Sequence, residues 1–146
     1  KAFALGFLLS LNIKGLEKPL SDEPKFAARI KRLAALRKRT AAFTVHARFR
    51  DREGLTVRSA SPTAGALYTS PGKLGIVVSD ITDGPKGGGP VTLTLDRRAH
   101  SAVNPEHMVL HGEHGTARVL QPQWKGRRYS VTFPLKRWES AVLEVG

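Results

Sequence analysis

The sequence contains no cysteine among its 146 residues, which excludes disulfide bonds, thiolate nucleophiles and cysteine-ligated zinc. It also lacks an apolar run of membrane-spanning length. The longest apolar stretch, from Ala2 to Ile13, holds about a dozen residues, whereas a bilayer requires about 20. Acidic residues are scarce, with 12 Asp and Glu against 24 Lys and Arg. Only two tryptophans and two tyrosines are present, which limits any aromatic binding surface.

The remaining composition is that of an ordinary folded domain. Apolar residues make up 40% of the chain and charged residues 25%, so it is too apolar for intrinsic disorder. A chain of this length buries roughly 70% of the surface that it exposes when unfolded. We therefore expect a stable core without metal or disulfide support.

The net charge of +12 is concentrated in the first third of the chain. Residues 1–50 contain 12 Lys and Arg and three acids, a net charge of +9. Residues 51–146 contain 12 Lys and Arg and nine acids, a net charge of +3. Any interaction with a polyanion is therefore expected first from the N-terminal segment.

Two helices are predicted in residues 1–42. Ala2 to Leu11 is apolar nearly all round, as in a buried helix; a signal peptide is the alternative, but no A-x-A-like cleavage site follows. This helix starts without a cap or an initiator Met, which suggests a piece of a longer chain. Ser21 is a plausible N-cap for a second helix reaching about Thr40. Its predicted apolar stripe contains Phe26, Ile30, Leu33 and Ala34, and Leu36 widens it.

The hydrophobic period changes from 3.6 to 2 after Ala42. Apolar residues alternate with polar ones from Phe43 to Arg50, and a turn at 51–54 with Gly54 leads into a second run at 55–60. This pattern predicts a β-hairpin.

Alternating or β-branched runs recur down the rest of the chain, separated by turn residues. They are predicted as strands at 66–70, 74–80, 91–95, 108–110, 116–120, 129–133 and 141–145, and a flexible loop is predicted at 83–90. Short strands at spacings near ten residues are typical of a β-sandwich. We therefore predict a mainly β protein, with an antiparallel β-sandwich of about seven to nine strands over residues 43–146 and two helices before it.

The second predicted helix carries the most conspicuous charge pattern. Its basic-face candidates are Lys25, Arg29, Lys31, Arg32, Arg37, Lys38 and Arg39. Such a cluster could follow the charges of a polyanion. However, no nucleic-acid motif and no interleaved aromatic residues accompany it, so we favour a solvated helix face over nucleic-acid binding.

Four aromatic residues are candidates for a sugar-binding platform: Trp124, Trp138, Tyr68 and Tyr129. A flat π-face can pack against the C–H groups of a sugar ring. The alternative is that these rings belong to the core or its rim, which is more common in a small sandwich.

No complete catalytic or metal site is predicted. His107, His111, Glu113 and His114 contain ligand-type side chains, but the H-E-x-x-H spacing is absent and two glycines interrupt the segment. The glycines at 84–89 lack the phosphate-loop pattern. Candidate carboxylates for acid–base chemistry fall in or beside predicted turns, where aspartate commonly binds its own backbone: Asp51, Glu53, Asp80 and Asp83. We expect no metal and no cofactor, and the cellular compartment stays open.

The order of helices, turns and strands resembles the C-terminal region of a (β/α)₈-barrel glycoside hydrolase. Residues 2–9, with Asn12, Gly15, Pro19, Leu20 and 33–37, are similar to the last helical part of such a barrel. The sandwich segments that carry the resemblance are 49–55, 75–80, 91–96, 133–135 and 142–145. They are patterns of strand and turn rather than catalytic signatures.

The resemblance implies a non-catalytic accessory sandwich. Its partner would be a preceding catalytic barrel in the same polypeptide, and it would brace that barrel and flank one edge of its cleft. The catalytic acids would then lie upstream of Lys1, on the barrel strands. The alternatives are a free-standing carbohydrate-binding module that uses Trp124 or Trp138, and a polyanion-binding protein that uses the helix at 25–39.

Overall fold

The computed structural model describes residues 22–146. The predicted helix from Ala2 to Leu11 and the predicted N-cap Ser21 lie outside the described residues. Two helices are described, α1 (Pro24–Arg39) and α2 (Ala41–Thr44). Neither α1 nor α2 is long and apolar enough to cross a membrane.

The described chain contains ten β-strands after the helices. They are β1 (Arg48–Asp51), β2 (Leu55–Ser59), β3 (Thr63–Ser70), β4 (Lys73–Asp80), β5 (Gly88–Asp96), β6 (Met108–Gly112), β7 (Ala117–Leu120), β8 (Gln123–Lys125), β9 (Arg128–Lys136) and β10 (Ser140–Val145). They form a six-stranded sheet in the order β1-β3-β4-β10-β6-β7 and a four-stranded sheet in the order β2-β5-β9-β8. All described pairings are antiparallel, which confirms the predicted mainly β sandwich.

The main core lies between the inner faces of the two sheets. This core contains the fully buried side chains of Leu67, Ile76 and Leu143 from the six-stranded sheet and of Leu93 from the four-stranded sheet. Each inward side chain alternates with an outward one, as the period of two along the strands requires. β4 and β10 are buried on both faces, because the helices cover the outer face of the six-stranded sheet.

A second, smaller core holds the helices on that outer face. Leu33 and Leu36 of α1 and Phe43 of α2 pack against strand residues that include Tyr68 and Val142. Burying a leucine side chain contributes about 1.5–3 kcal/mol, so these two leucines fix α1 to the sheet. The predicted stripe of α1 is only partly correct, since Phe26 is 41% exposed and Ala34 is exposed, whereas Leu36 is fully buried.

The predicted strand from Phe43 to Arg50 is wrong in its first half. Residues 41–44 form α2, and β1 begins only at Arg48. The buried side chain of this segment is Phe43, while Val45 and Phe49 are 42% and 48% exposed. The alternation therefore did not correspond to one buried face, and packing of Phe43 on the sheet favoured a helical turn.

The predicted hairpin between β1 and β2 is also wrong. β1 pairs with β3 in one sheet, whereas β2 pairs with β5 in the other. Asp51 has a positive φ of 54°, and the register of β1 shifts between Phe49 and Asp51. The turn is present, but its irregular geometry carries the chain from one sheet to the other.

Two smaller differences affect the four-stranded sheet. The short edge strand β8 was not predicted. The predicted flexible loop is shorter than expected, because Gly88, Gly89 and Pro90 begin β5 and pair with the end of β9. Gly88 and Gly89 have φ values of 78° and 132°, which a side chain would strain.

Candidate functional site

Two of the four predicted platform residues are unavailable at the surface. Tyr68 is 4% exposed and Tyr129 is 1% exposed. Burial raises the pKa of Tyr129 to about 12, and it also raises the pKa of Tyr68 although Arg37 opposes the shift. These tyrosines face the two cores because the strand alternation directs them inward, so they cannot form part of an exposed sugar platform.

Trp124 lies on the edge strand β8 and is 44% exposed. Its ring packs on Tyr129 at a centroid distance of 5.2 Å, and the Arg97 guanidinium lies 5.7 Å from its ring centroid. Trp124 is therefore a rim residue that closes the core at one edge of the four-stranded sheet.

Trp138 lies in the turn between β9 and β10, in the left-handed backbone region with φ of 61°, and is 47% exposed. Its indole N–H donates to the Thr82 carbonyl at 2.6 Å, and the Arg137 guanidinium stacks 3.8 Å from its ring centroid. Trp124 pairs with the start of β9, whereas Trp138 follows its end. A nine-residue strand is roughly 27 Å long, so the two tryptophans do not share one platform.

The Asp80 carboxylate holds the turn that contains Trp138. Oδ1 accepts the backbone N–H groups of Thr82 and Trp138, both at 3.1 Å. Oδ2 accepts the Ser61 hydroxyl at 2.6 Å and the Gly88 N–H at 2.9 Å. Burial alone would raise the pKa of Asp80, but these four hydrogen bonds outweigh it and hold the pKa well below its usual range. Asp80 is therefore an anion at neutral pH, and its hydrogen bonds join four chain segments.

The predicted basic face of α1 is divided between two roles. Three arginines turn toward the sandwich: Arg29 donates to the Trp138 carbonyl, Arg39 donates to the Gly112 carbonyl at 2.8 Å, and Arg32 lies 3.8 Å from Glu113. Arg37 also points inward, toward Tyr68.

The lysines of α1 behave differently from its arginines. Lys25, Lys31 and Lys38 are exposed. The helix therefore presents its lysines to solvent, while its arginines contact the sandwich.

Glu113 is a buried carboxylate that directly follows β6 and lies beside Arg32 of α1. It accepts the Ser140 N–H at 2.7 Å and is 4% exposed. Burial raises its pKa, although the hydrogen bond from Ser140 and the charges of Arg29 and Arg32 oppose the rise. The histidines near it in sequence do not gather there, since His107 and His114 are exposed and His111 points to a different carboxylate. Within residues 22–146 there is no group of three ligand-type side chains placed to hold a metal ion.

Glu144 is the centre of a second polar cluster, under Phe43 of α2. Its carboxylate accepts from Lys73 Nζ and lies 3.1 Å from His111 Nε2. The Phe43 ring centroid is 5.9 Å from the Lys73 ammonium and 5.7 Å from the His111 ring. Burial alone would raise the pKa of Glu144, but the bonds from Lys73 and His111 outweigh it and lower the pKa. This cluster fixes α2 on the sheet.

Replacing Glu144 by glutamine should lower the free energy of unfolding by about 2 kcal/mol at neutral pH, because Lys73 and His111 lose their shared anion. The folded pKa is depressed, so the stabilisation is present above the ordinary carboxyl pKa of 4.5 and is lost as the pH falls through the folded value. Urea denaturation at neutral and acidic pH measures this. The exposed Glu106→Gln change is the matched control. An equal effect of both substitutions would show that the contacts of Glu144 with Lys73 and His111 do not stabilise the fold.

The other predicted acid–base candidates do not form a couple. Asp51 and Asp83 are exposed, and Glu53 is exposed and pairs with Arg50 at 3.3 Å. Asp80 lies elsewhere, at the end of β4, with all its hydrogen bonds directed at the fold. Within the described part of the chain, the buried carboxylates therefore support the structure rather than an open cleft.

No protein-family model and no curated protein matches the chain. Solved structures that are similar include avian reovirus sigmaC in a C2 crystal form, with 13% identity and a TM-score of 0.30, covering 68% of this chain and 60% of that chain. The C-terminal receptor-binding domain of avian reovirus fibre sigmaC has 14% identity and a TM-score of 0.26, with 68% of each chain covered. The chain thus spans less than two thirds of the first of these. With scores this low, the likeness carries no functional argument.

Proposed function

We propose that this chain is a non-catalytic accessory β-sandwich of a glycoside hydrolase and that it follows a catalytic (β/α)₈ barrel in the same polypeptide. The observation that carries the proposal is the clamping of α1 on the outer face of the six-stranded sheet. Leu33 and Leu36 provide the apolar contact, and Arg29, Arg32 and Arg39 reach from the helix to the sandwich.

This clamp explains how the sandwich would act on a neighbouring domain. The arginine contacts span α1 from Arg29 to Arg39, almost three helical turns, so the helix cannot swing independently of the sheet. A domain joined to the start of α1 would therefore be held in a defined orientation. Bracing of that kind requires packing and hydrogen bonds but no reactive group.

The state of the buried carboxylates supports a non-catalytic role. A glycoside hydrolase requires two carboxyl groups facing a sugar across a cleft. In the described chain, Asp80, Glu113 and Glu144 are each hydrogen-bonded to backbone or side-chain groups of the fold.

The gene region that precedes the codon for Lys1 provides the direct test. We expect it to encode about 250 residues or more in which strand and helix patterns alternate, the length of a (β/α)₈ barrel. Carboxylates at the ends of those predicted strands would supply the catalytic residues. A start codon directly before Lys1, or an upstream domain of another class, would overturn the proposal.

A carbohydrate-binding module is the second candidate, and the exposed, rigidly held Trp138 favours it. One face of its ring is stacked on Arg137, which leaves at most the opposite face for a sugar. The accessory role predicts no fluorescence change when the full-length Trp124→Phe variant, in which Trp138 is the only tryptophan, is titrated with neutral oligosaccharides. A saturable change would favour the module, and its loss in a further Trp138→Phe variant would locate the site.

A further inference from the structure

The outer face of the four-stranded sheet is polar and basic. Among the described residues no helix lies on it, because α1 and α2 pack on the other sheet. Strand alternation directs Leu93 and Val131 into the core and their neighbours outward. The outward residues that line one shallow groove are Thr56, Arg58, Thr94, Lys125, Arg128 and Ser130.

Strand register sets the spacing of the groove's charges. Arg128 pairs with Lys125 on the edge strand β8, and Arg58 lies on the opposite edge strand, β2. Thr56, Thr94 and Ser130 form a row of hydroxyl groups between them. Three strand spacings separate the two edges, and the register places Arg58 four residues along the strands from Arg128 and Lys125, so the cations lie at diagonally opposite ends of the groove, roughly 19 Å apart. A linear ligand lying diagonally across the strands would therefore meet cations at both ends and hydroxyl groups in the middle.

Among the described residues, the three groove cations have no acidic partner. Within residues 22–146, no ion pair or hydrogen bond involves the side chains of Arg58, Lys125 or Arg128. Asp96 is in register with Arg128, but its Oδ1 accepts the Arg98 N–H at 2.9 Å. In contrast, Arg29, Arg32 and Arg39 of α1 contact groups of the sandwich. The groove thus holds unpaired cations on a rigid surface, which suits an anionic ligand.

We propose that this groove binds an acidic polysaccharide, one that carries sulfate or carboxylate groups. Arginine forms paired hydrogen bonds with planar or tetrahedral oxyanions, and the threonine and serine hydroxyls both donate to and accept from sugar hydroxyl groups. The proposal is independent of the accessory role, since it depends only on this sheet face.

The groove chemistry favours a polysaccharide over nucleic acid. Binding of single-stranded nucleic acid depends on aromatic rings that stack with the bases. Trp124, the nearest exposed ring, pairs in register with the core residue Tyr129 and packs on its ring. Tyr129 also borders the groove, but it is only 1% exposed and belongs to the core, so its ring is not open for stacking with a base.

Calorimetric titration of the full 146-residue chain at low ionic strength tests the ligand class. Dextran sulfate is the sulfate probe, uncharged dextran is its matched backbone control, and polygalacturonate is the carboxylate probe. We expect saturable binding of at least one acidic polymer and none of dextran. Binding of neither acidic polymer, or tighter binding of oligodeoxythymidine than of both, would overturn the proposal.

Two variants of equal charge then test the location. The sheet variant combines Arg58→Gln, Lys125→Gln and Arg128→Gln, and the helix variant combines Lys25→Gln, Lys31→Gln and Lys38→Gln. Each removes three exposed positive charges. The sheet variant should bind about tenfold more weakly, from three lost surface ion pairs, while the helix variant keeps its affinity. Circular-dichroism melting verifies that both fold. An equal loss of affinity in the two variants, or a loss confined to the helix variant, would show that the polysaccharide does not bind at the groove.

Discussion

Replacing Gly75 by alanine should destabilise the protein by about 3 kcal/mol, because overpacking of a rigid contact has a cost of this order. A Cβ at this position would overlap the Phe43 carbonyl oxygen and would lie 3.0 Å from both the carbonyl carbon and Cδ2 of Phe43. Backbone atoms of α2 cannot rotate away as a flexible side chain can. The sheet or the helix must therefore move, which breaks the contact that holds α2.

The matched control is Gly84→Ala, at an exposed loop position where an added Cβ would meet no atom within 4 Å. Urea denaturation of both variants compares their free energies of unfolding. Because Phe43 and the Glu144 cluster lie together over Gly75, limited proteolysis should also cut the Gly75 variant faster at residues 45–47. If the Gly75 variant unfolds at the same urea concentration as the Gly84 variant, Phe43 of α2 does not pack on Gly75 as described.

The same contact explains why the start of the sandwich could not be predicted from the sequence. The alternation from Phe43 to Phe49 has the period of a strand, and no local feature argues against one. The deciding interaction is with Gly75, more than 30 residues away, where the missing side chain leaves room for α2. Local periodicity cannot contain that information.

Elsewhere the local pattern was sufficient. β9, and β5 from Val91 onward, alternate buried residues with less buried ones, and β4 is the continuous apolar run expected of a strand covered on both sides. The sequence did not show in the same way which strand belongs to which sheet. A turn at residues 51–54 is clear in the sequence, but its passage from one sheet to the other is visible only in the structure, where Asp51 has a positive φ and the register of β1 shifts.

The candidate sites show the same division. Aspartate in a turn was expected to bind its own backbone, and Asp80 does accept the N–H of Thr82, two residues on. Its bonds to Ser61, Gly88 and Trp138 come from three other segments and carry no local signature. Likewise, the groove cations Arg58, Lys125 and Arg128 are scattered in the sequence and are collected only by the strand order β2-β5-β9-β8.

Replacing Asp80 by asparagine should lower the free energy of unfolding by about 3 kcal/mol at neutral pH, the penalty for leaving buried donors without an acceptor. Both carboxylate oxygens accept two hydrogen bonds, and all four donors are N–H or O–H groups. An asparagine NH₂ would face two of these donors instead of accepting from them. The turn that contains Trp138 should loosen, so Trp138 fluorescence should shift to longer wavelength even in the folded variant.

Asp83→Asn, three residues further on and exposed, removes the same charge without these bonds and should change stability by less than about 0.5 kcal/mol. A full effect in Asp83→Asn would mean that net charge is responsible, and no effect in Asp80→Asn would mean that the hydrogen bonds of Asp80 do not stabilise the turn.

The pH dependence of unfolding separates the Asp80 carboxylate from neutral packing. Since the folded pKa of Asp80 lies well below the unfolded value of 3.8, the unfolded chain binds this proton first as the pH falls. Its stabilisation is complete above the unfolded pKa and declines as the pH drops below it. The difference between the protein and its Asp80→Asn variant should therefore be constant at neutral pH and shrink below about pH 4, where protonation of the unfolded carboxyl begins to offset it. A difference that stayed constant down to about pH 2 would show that the substitution acts through shape, because packing defects do not titrate.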